Sequence, residues 1–330
     1  YTAPLLQQLG QLQSAVGNHY RAVDRFEARE GLPFTDDRSR LNLLMMKARS
    51  LFHSVQPMEA ADTVREARGL VENAKALSRY TPWVLNRLAF YLYAAGRFQA
   101  ALDVYSEYEG LSVQSADPGS SWNWVRHHTM KGASALGGGK LTVAESELEK
   151  ALALSAELDA SSPAPFATPG ARGRAARHTP RDHRIVVLGL QAQTAIQLGK
   201  LQNATEKLSE RRALLSKRFK NGMRPDDLAE LAHSSYGLAM VAWKENDYST
   251  ARAFIEEGLV YMDQFSEENG TLLHPFMIEL VRGYAALHFY GKLPLESLEL
   301  NLRKRLEDLY GALCLRNNPR WEAERFILGL

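Results

Sequence analysis

Several short stretches of this chain offer the residue types of catalytic and metal centres, so their spacing decides what chemistry they could support. Leu136-Gly137-Gly138-Gly139-Lys140-Leu141-Thr142 has the glycines and lysine of a phosphate-cradling loop. That loop needs a further glycine five residues before the one preceding the lysine, and a hydroxyl residue directly after the lysine to hold Mg²⁺. Ser134 and Leu141 occupy those places, so the segment reads as a turn between helices. His127 and His128 are adjacent, and neighbours on a helix point to different faces; two imidazoles serving one metal are expected at i, i+4. His178, Asp182 and His183 could gather round a cation, but they stand in a proline-broken segment with nothing to orient the rings. Cys314 has no nucleophile motif around it and reads as a small apolar residue. Glu256-Glu257 and Glu267-Glu268 read as solvated faces, and Asn203-Ala204-Thr205 and Asn269-Gly270-Thr271 as coincidental glycosylation tripeptides. No nucleophile, base and orienting residue group together, so the expectation is a non-enzyme with neither cofactor nor metal.

Composition narrows the class further. Hydrophobic residues make up 45% of the 330 and charged residues 24%, an ordinary globular balance rather than that of a disordered or membrane chain. A net charge of +2, from 40 basic and 38 acidic residues, gives no global attraction to nucleic acid or anionic lipid. One cysteine permits no intrachain disulfide, which fits a reducing compartment. No stretch approaches the roughly 18 apolar residues of a spanning helix, and no signal peptide opens the chain. The chain starts at Tyr1 and stops in an apolar helical stretch at Arg325-Phe326-Ile327-Leu328, which reads as a fragment or processed chain. No membrane insertion and an intracellular, cytoplasmic location are the expectations.

The elements that must position any site are set by a repeat. Short breaks fall at Gly17, Val55, Gly96, Gly139, Gly199, Asn246 and Gly291, with spacings of 38, 41, 43, 60, 47 and 45. Five residues after each break stand Ala22, Ala60, Ala101, Ala144, Ala204 and Ala251, with Glu296 in the last copy. Nine after stand Phe26, Val64, Tyr105, Leu148, Leu208 and Ile255, and seven before stand Gly10, Ala48, Ala89, Gly132, Ala192 and Ala239, with Tyr284 last. Two helices that cross closely need a small residue on each at the crossing, because a larger side chain would force the axes apart. Gly or Asn at the break supplies the left-handed residue that ends a helix. The register therefore predicts helical hairpins, with a degenerate final copy.

Gly96-Arg97-Phe98-Gln99-Ala100-Ala101 and Asn246-Asp247-Tyr248-Ser249-Thr250-Ala251 carry the clearest resemblance to a known family, supported by Gly139-Lys140-Leu141 and Gly199-Lys200-Leu201. The pattern resembles the tetratricopeptide repeat (TPR) over about residues 4–310. The spacings exceed the usual 34 of that family, and the proline closing each second helix is mostly missing. Longer repeats of this kind are similar to those in large bacterial regulators and eukaryotic assembly factors. The resemblance implies an all-α fold, a right-handed α-solenoid of about seven TPR-like hairpins with one Arg/Pro-rich insert. Residues 1–159 would hold repeats one to four, 160–184 the flexible basic insert, and 185–330 repeats five to seven of the same solenoid.

The insert carries Arg172, Arg174, Arg177, Arg181 and Arg184 against the single acid Asp182, with prolines at 163, 165, 169 and 180 that interrupt any helix. Helix is expected to resume near Ile185. Arg211, Arg212 and Arg218, with Lys217, Lys220 and Arg224, close the second helix of the next repeat. Connections between hairpins share one edge, so both groups could form an anion-binding rim for an acidic or phosphorylated partner or RNA. The other reading is a solvated loop beside a helix C-terminus that favours cations, and no aromatic interleaves with the arginines to stack bases.

In such arrays the first helix of each pair lines the inner groove. Phe52, Trp83, Asn86, Phe90, Tyr93 and Arg126 form one candidate partner-binding cluster, and His233, Tyr236, Met240 and Trp243 a second; Met45, Arg49, Thr129 and Gln193 accompany them. Aromatic residues and arginine dominate binding hot spots, although long helices could bury the same residues between repeats. The leading expectation is a protein–protein interaction scaffold or adaptor, a subunit of a larger assembly, holding a peptide or partner in the groove. The alternatives are a sensor domain of a larger regulator binding a small ligand, and an RNA or phospho-ligand adaptor acting through the insert.

Overall fold

The computed structural model describes residues 3–15, 17–34, 36–54, 56–112, 121–161, 180–219 and 225–269. Among the described residues there are twelve α-helices, one 3-10 helix at Lys75–Tyr80, and no strand. In chain order the helices are α1 (Ala3–Ala15), α2 (His19–Glu30), α3 (Asp37–His53), α4 (Pro57–Asn73), α5 (Thr81–Ala94) and α6 (Phe98–Ser112). They continue with α7 (Ser121–Gly137), α8 (Leu141–Ser161), α9 (Pro180–Gln197), α10 (Leu201–Phe219), α11 (Pro225–Lys244) and α12 (Tyr248–Asn269). No described helix is long and apolar enough to cross a membrane. The chain forms two compact units, Tyr1–Leu154 and Ser155–Leu330.

Consecutive helices pair as hairpins, and the turn inside each is the same object. Gly17, Gly96, Gly139, Gly199 and Asn246 have φ of 81°, 72°, 71°, 75° and 63°, the left-handed region where a Cβ is penalised and Gly or Asn is favoured. The residue after each donates its backbone N–H five residues back: Asn18 to Gln13, Arg97 to Leu92, Lys140 to Ala135, Lys200 to Ala195 and Asp247 to Ala242, at 2.8–2.9 Å. These bonds satisfy carbonyls that the ending helix leaves unpaired. Gln56 makes the same bond to Leu51 at 3.0 Å, although Val55 itself lies outside the described residues. The post-break carbonyl then starts the second helix, accepting from the alanine four residues on: Ala22, Ala60, Ala101, Ala144, Ala204 or Ala251. The alanine register is thus a fixed place in the first turn of every second helix. The seventh copy, around Gly291, lies outside the described residues.

Every small residue of the first six copies is buried. What sets their size is visible where the residue is glycine. A Cβ on Gly10 would stand 2.5 Å from Phe26 Cε1, and one on Gly132 would stand 2.7 Å from Leu148 Cγ. Phe26 and Leu148 are the residues nine past the break, so the larger side chain of one helix fills the gap left by the small residue of the other. Where the crossing residue is alanine (Ala48, Ala89, Ala192, Ala239), the residue nine past the break is Val64, Tyr105, Leu208 or Ile255, each buried.

Repeats pack on one another mainly where the second helix of one meets the first helix of the next. These contacts are α2 on α3, α4 on α5 and α6 on α7 in unit 1 and α10 on α11 in unit 2, with lighter contacts between first helices. In unit 1, α1 touches α3 and α5 touches α7, while Phe52 of α3 meets Phe90 of α5 with ring centroids 5.1 Å apart. In unit 2, α9 touches α11. Second helices are tied at their exposed faces by ion pairs, Arg68 of α4 to Glu107 of α6 at 3.1 Å and Arg212 of α10 to Glu257 of α12 at 2.5 Å. Around the insert, α8 runs to Ser161 and α9 starts at Pro180, earlier than the expected Ile185. Proline in the first helical turn has no N–H to lose and a pre-set φ, so Pro180 opens the helix rather than blocking it. Residues 162–179, with Arg172, Arg174 and Arg177, lie outside the described residues.

The crossing rule has a direct test. Gly132→Leu forces a branched side chain into Leu148 and should destabilise the chain by about 3 kcal/mol in urea unfolding. Gly69 of α4 has nothing within 4 Å of the place a methyl group would take, so Gly69→Ala should stabilise by roughly 0.5–1 kcal/mol through helix propensity.

Candidate functional site

Unit 1 presents most of the first predicted cluster on α3, α5 and α7. Trp83 is 40% exposed and meets Tyr80 edge-on at 6.4 Å, while Arg79 lies over the Tyr80 ring at 4.9 Å. Phe52, Asn86 and Phe90 are half-buried, and Phe52 also meets Tyr91 at 5.3 Å. Tyr93 is turned toward its own hairpin, packing on Phe98 of α6 at 5.9 Å. Arg126 is exposed on α7, as are Arg49 of α3 and Arg87 of α5, and the charges of the latter two both act on Tyr91. Burial first, and the charge of Arg87 second, hold the Arg126 guanidinium below its ordinary value, which places the two cations in one neighbourhood. None of these three arginines has an acidic partner among the described residues. Arg87 carries no signal in the sequence, because an exposed arginine on a helix is unremarkable until its neighbours are known.

A cavity of about 440 Å³ between α2, α3 and α4 is lined by Tyr20, Asp24, Glu27, Lys47, Glu59 and Asp62, among others. That lining is acidic rather than the enclosed apolar pocket expected of a small-ligand sensor.

A second polar group in unit 1 joins α6, α7 and α8. His127 is completely buried, its Nε2 3.0 Å from Glu109 Oε1, with the Tyr108 ring stacked on it at 4.9 Å and Tyr105 and Trp124 edge-on at 5.3 and 5.2 Å. His128, 12% exposed, has its Nδ1 2.7 Å from Glu147 Oε2. Lys131 donates to Glu109 Oε2 at 2.6 Å and lies 3.5 Å from Glu147, which Lys150 also reaches at 2.9 Å. Although adjacent on the helix, His127 and His128 both have a ring nitrogen near Glu109 Oε1, at 3.0 and 4.0 Å. One ring uses its far nitrogen and the other its near one, which offsets the roughly 100° between neighbours on a helix. Glu109 and Glu147 carry no sequence signal, being ordinary acids on ordinary helices. Burial pushes His127 down to about 4 despite Glu109. Burial raises Glu147, but hydrogen bonds from His128 and Lys150 and the Lys131 charge outweigh it and take it down to about 2.

Unit 2 treats its candidates differently. Arg211, expected at an anion-binding rim, is 2% exposed. Its Nε donates to the Ile185 carbonyl at 3.0 Å, Nη1 reaches Ser234 Oγ at 3.0 Å and His233 Nδ1 at 3.1 Å, and Nη2 pairs with Glu230. Gly189 of α9 makes the room, since a Cβ there would stand 2.9 Å from Arg211 Cζ. His233, expected in the groove, is buried in this network with its Nε2 2.6 Å from the Gln193 amide. A cation that long can enter an interior only if hydrogen bonds replace its water, and periodicity does not report such partners. Arg184 donates from Nε to Glu210 at 3.1 Å, and Arg212 pairs with Glu257; the side chains of Arg181 and Arg218 lie outside the described residues. Tyr236, Met240 and Trp243 are half-buried on α11. Met240 packs on the cluster of Ala195, Ile196, Ala204 and Val241, and Trp243 meets Tyr248 at 5.7 Å.

Two outcomes follow from these buried groups. His127 and Glu147 both titrate below their ordinary values, so the folded chain binds those protons less readily than the unfolded one. His127 therefore withdraws stability as pH falls from about 6.5 to 4, and Glu147 as pH falls from about 4.5 to 2. The first interval should cost about 3 kcal/mol, read as a falling urea midpoint in chelating buffer, and His127→Gln should flatten it. In unit 2, Arg211→Ala should destabilise by about 3–5 kcal/mol by leaving Glu230 unpaired; a variant as stable as the parent would return Arg211 to the surface.

No family model and no curated protein matches this sequence. Among solved structures, the Signal Transduction ATPase with Numerous Domains (STAND) protein with a tetratricopeptide repeat sensor, from Pyrococcus horikoshii, superposes with a TM-score of 0.56 at 15% identity. The match covers 94% of this chain and 42% of that one. A Podosopora anserina structure of nearly identical TPR-like repeats matches with a TM-score of 0.48 at 18% identity, over 66% of this chain and 96% of that one. The hairpin turns, the alanine crossings and the first of these superpositions agree: this chain has the TPR-like helical-repeat fold.

Proposed function

We propose that the chain is a non-catalytic interaction scaffold that holds an acidic peptide segment of a protein partner across α3, α5 and α7. The observation that carries this reading is the trio of exposed arginines, Arg49, Arg87 and Arg126, lacking acidic partners among the described residues and standing with the exposed Trp83 and half-buried Phe52 and Phe90. Like charges set together weaken the free protein slightly and are relieved when an anion arrives. The aromatics supply rigid apolar area, and Asn86 offers an amide to a peptide backbone. The anion-binding rim is the weaker candidate, because Arg184, Arg211 and Arg212 are occupied by Glu210, Glu230 and Glu257.

Selection of a random displayed peptide library on the full chain should enrich peptides with acids flanking an apolar anchor. Arg87→Ala with Arg126→Ala should weaken such a peptide on the order of 10–100-fold, and Trp83→Ala about 30-fold, with the circular dichroism unchanged. Removal of 161–183 should leave binding intact. Enrichment of basic peptides, or binding lost only on removal of 161–183, would overturn the reading.

A further inference from the structure

The group between α6, α7 and α8 contains donor atoms that the interaction surface does not use. Glu109 Oε1 lies 3.0 Å from His127 Nε2 and 4.0 Å from His128 Nδ1, and the donor atoms of these three residues fall within 4.8 Å of one another. Glu147 Oε2 stands 2.7 Å from the same His128 nitrogen, just outside that group of three. Ligand atoms around a zinc-sized ion are roughly 3.3 Å apart, which Glu109, His127 and His128 approach as they stand and Glu147 reaches by a side-chain shift. Each carboxylate is also divided in the same way. One oxygen faces the imidazoles, while the other is fixed by lysine, Glu109 Oε2 by Lys131 at 2.6 Å and Glu147 Oε1 by Lys150 at 2.9 Å. Such outer hydrogen bonds orient ligating carboxylates.

The His127 ring is fully buried, with Nε2 as the nitrogen that faces Glu109. Tyr105, Tyr108 and Trp124 enclose that ring and keep away water that would compete for a cation.

We propose that Glu109, His127, His128 and Glu147 form a site for a first-row divalent metal ion, with zinc as the first probe, that ties α6, α7 and α8 together. Two imidazoles and two carboxylates fill four positions, the closed arrangement of a structural site rather than a catalytic one, with the carboxylate charge shared with Lys131 and Lys150. Lys131 stands beside the carboxylates and opposes the cation, so the site favours the metals with strong imidazole affinity over magnesium or calcium. This proposal stands whatever the groove binds.

The test uses the full chain after chelator treatment, titrated with Co²⁺ and then Zn²⁺. One equivalent of Co²⁺ should develop the intense visible absorption of a four-coordinate site, and Zn²⁺ should abolish it. Saturating Zn²⁺ should raise the melting temperature by about 5 °C. His128→Asn, at a partly exposed position, and Glu109→Gln should each remove the band and the shift while circular dichroism shows the fold retained. His19→Asn with His53→Asn, which removes the stacked pair 4.7 Å apart on α2 and α3, should change neither. Absence of a visible band in the parent chain would overturn the proposal without any variant. So would a response that survives His128→Asn and Glu109→Gln, or one that disappears with His19 and His53.

Discussion

The approach of two helices at a single crossing governs the rest of this structure. At each hairpin the backbones come close enough that one added carbon on Gly10 or Gly132 would lie within 2.7 Å of Phe26 or Leu148. The distance is fixed from both ends. The left-handed turn sets how many residues separate the crossing from the break, and the residue nine past the break fills what the small residue leaves open. Because each hairpin is built to the same separation, its outer faces repeat at regular intervals, and the next first helix can dock against them. The alanine register is thus a spacing device, and the buried leucines and valines around it gain their contacts because of it.

A stripe of alanine and glycine packs closely but discriminates poorly between neighbouring rotations of a helix. Each unit contains one buried polar network that removes this freedom. In unit 1, His127, His128 and Lys131 on α7 reach Glu109 on α6 and Glu147 on α8. In unit 2, Arg211 of α10 reaches the Ile185 carbonyl on α9 and Glu230, His233 and Ser234 on α11. Each network spans three helices, so a helix that rotates or slides leaves a charge or hydrogen bond unmet inside the protein. The apolar crossings provide close approach, and the polar networks select one arrangement from those that close approach allows.

The exposed face of α3, α5 and α7 follows the opposite rule. Arg49, Arg87 and Arg126 there are left without acids among the described residues, whereas Arg68 and Arg212 on second helices pair with Glu107 and Glu257. These two pairs join second helices of successive repeats. Arg49, Arg87 and Arg126, by contrast, keep their positive charge uncompensated among the described residues, at a modest expense in self-repulsion.

The hairpin architecture was legible in the sequence because it depends on size and spacing, which residue types carry directly. Glycine or asparagine at five breaks, alanine five residues on, and a larger apolar residue nine residues on each took the predicted place. Pro180 looks like a barrier in one dimension yet starts a helix, since proline's effect depends on which turn it occupies. The polar sites were not legible. Nothing in the one-dimensional pattern of Arg211 distinguishes it from Arg212 one residue later, yet one is enclosed by α9 and α11 and the other meets Glu257 at the surface. His127 and His128, neighbours on different helix faces, meet acids 18 and 19 residues away. The sequence by itself determined where helices begin, turn and cross, because those are local steric choices. Which charges became partners was decided only by tertiary structure, because it depends on which long side chains three separate helices bring within a few ångströms of each other.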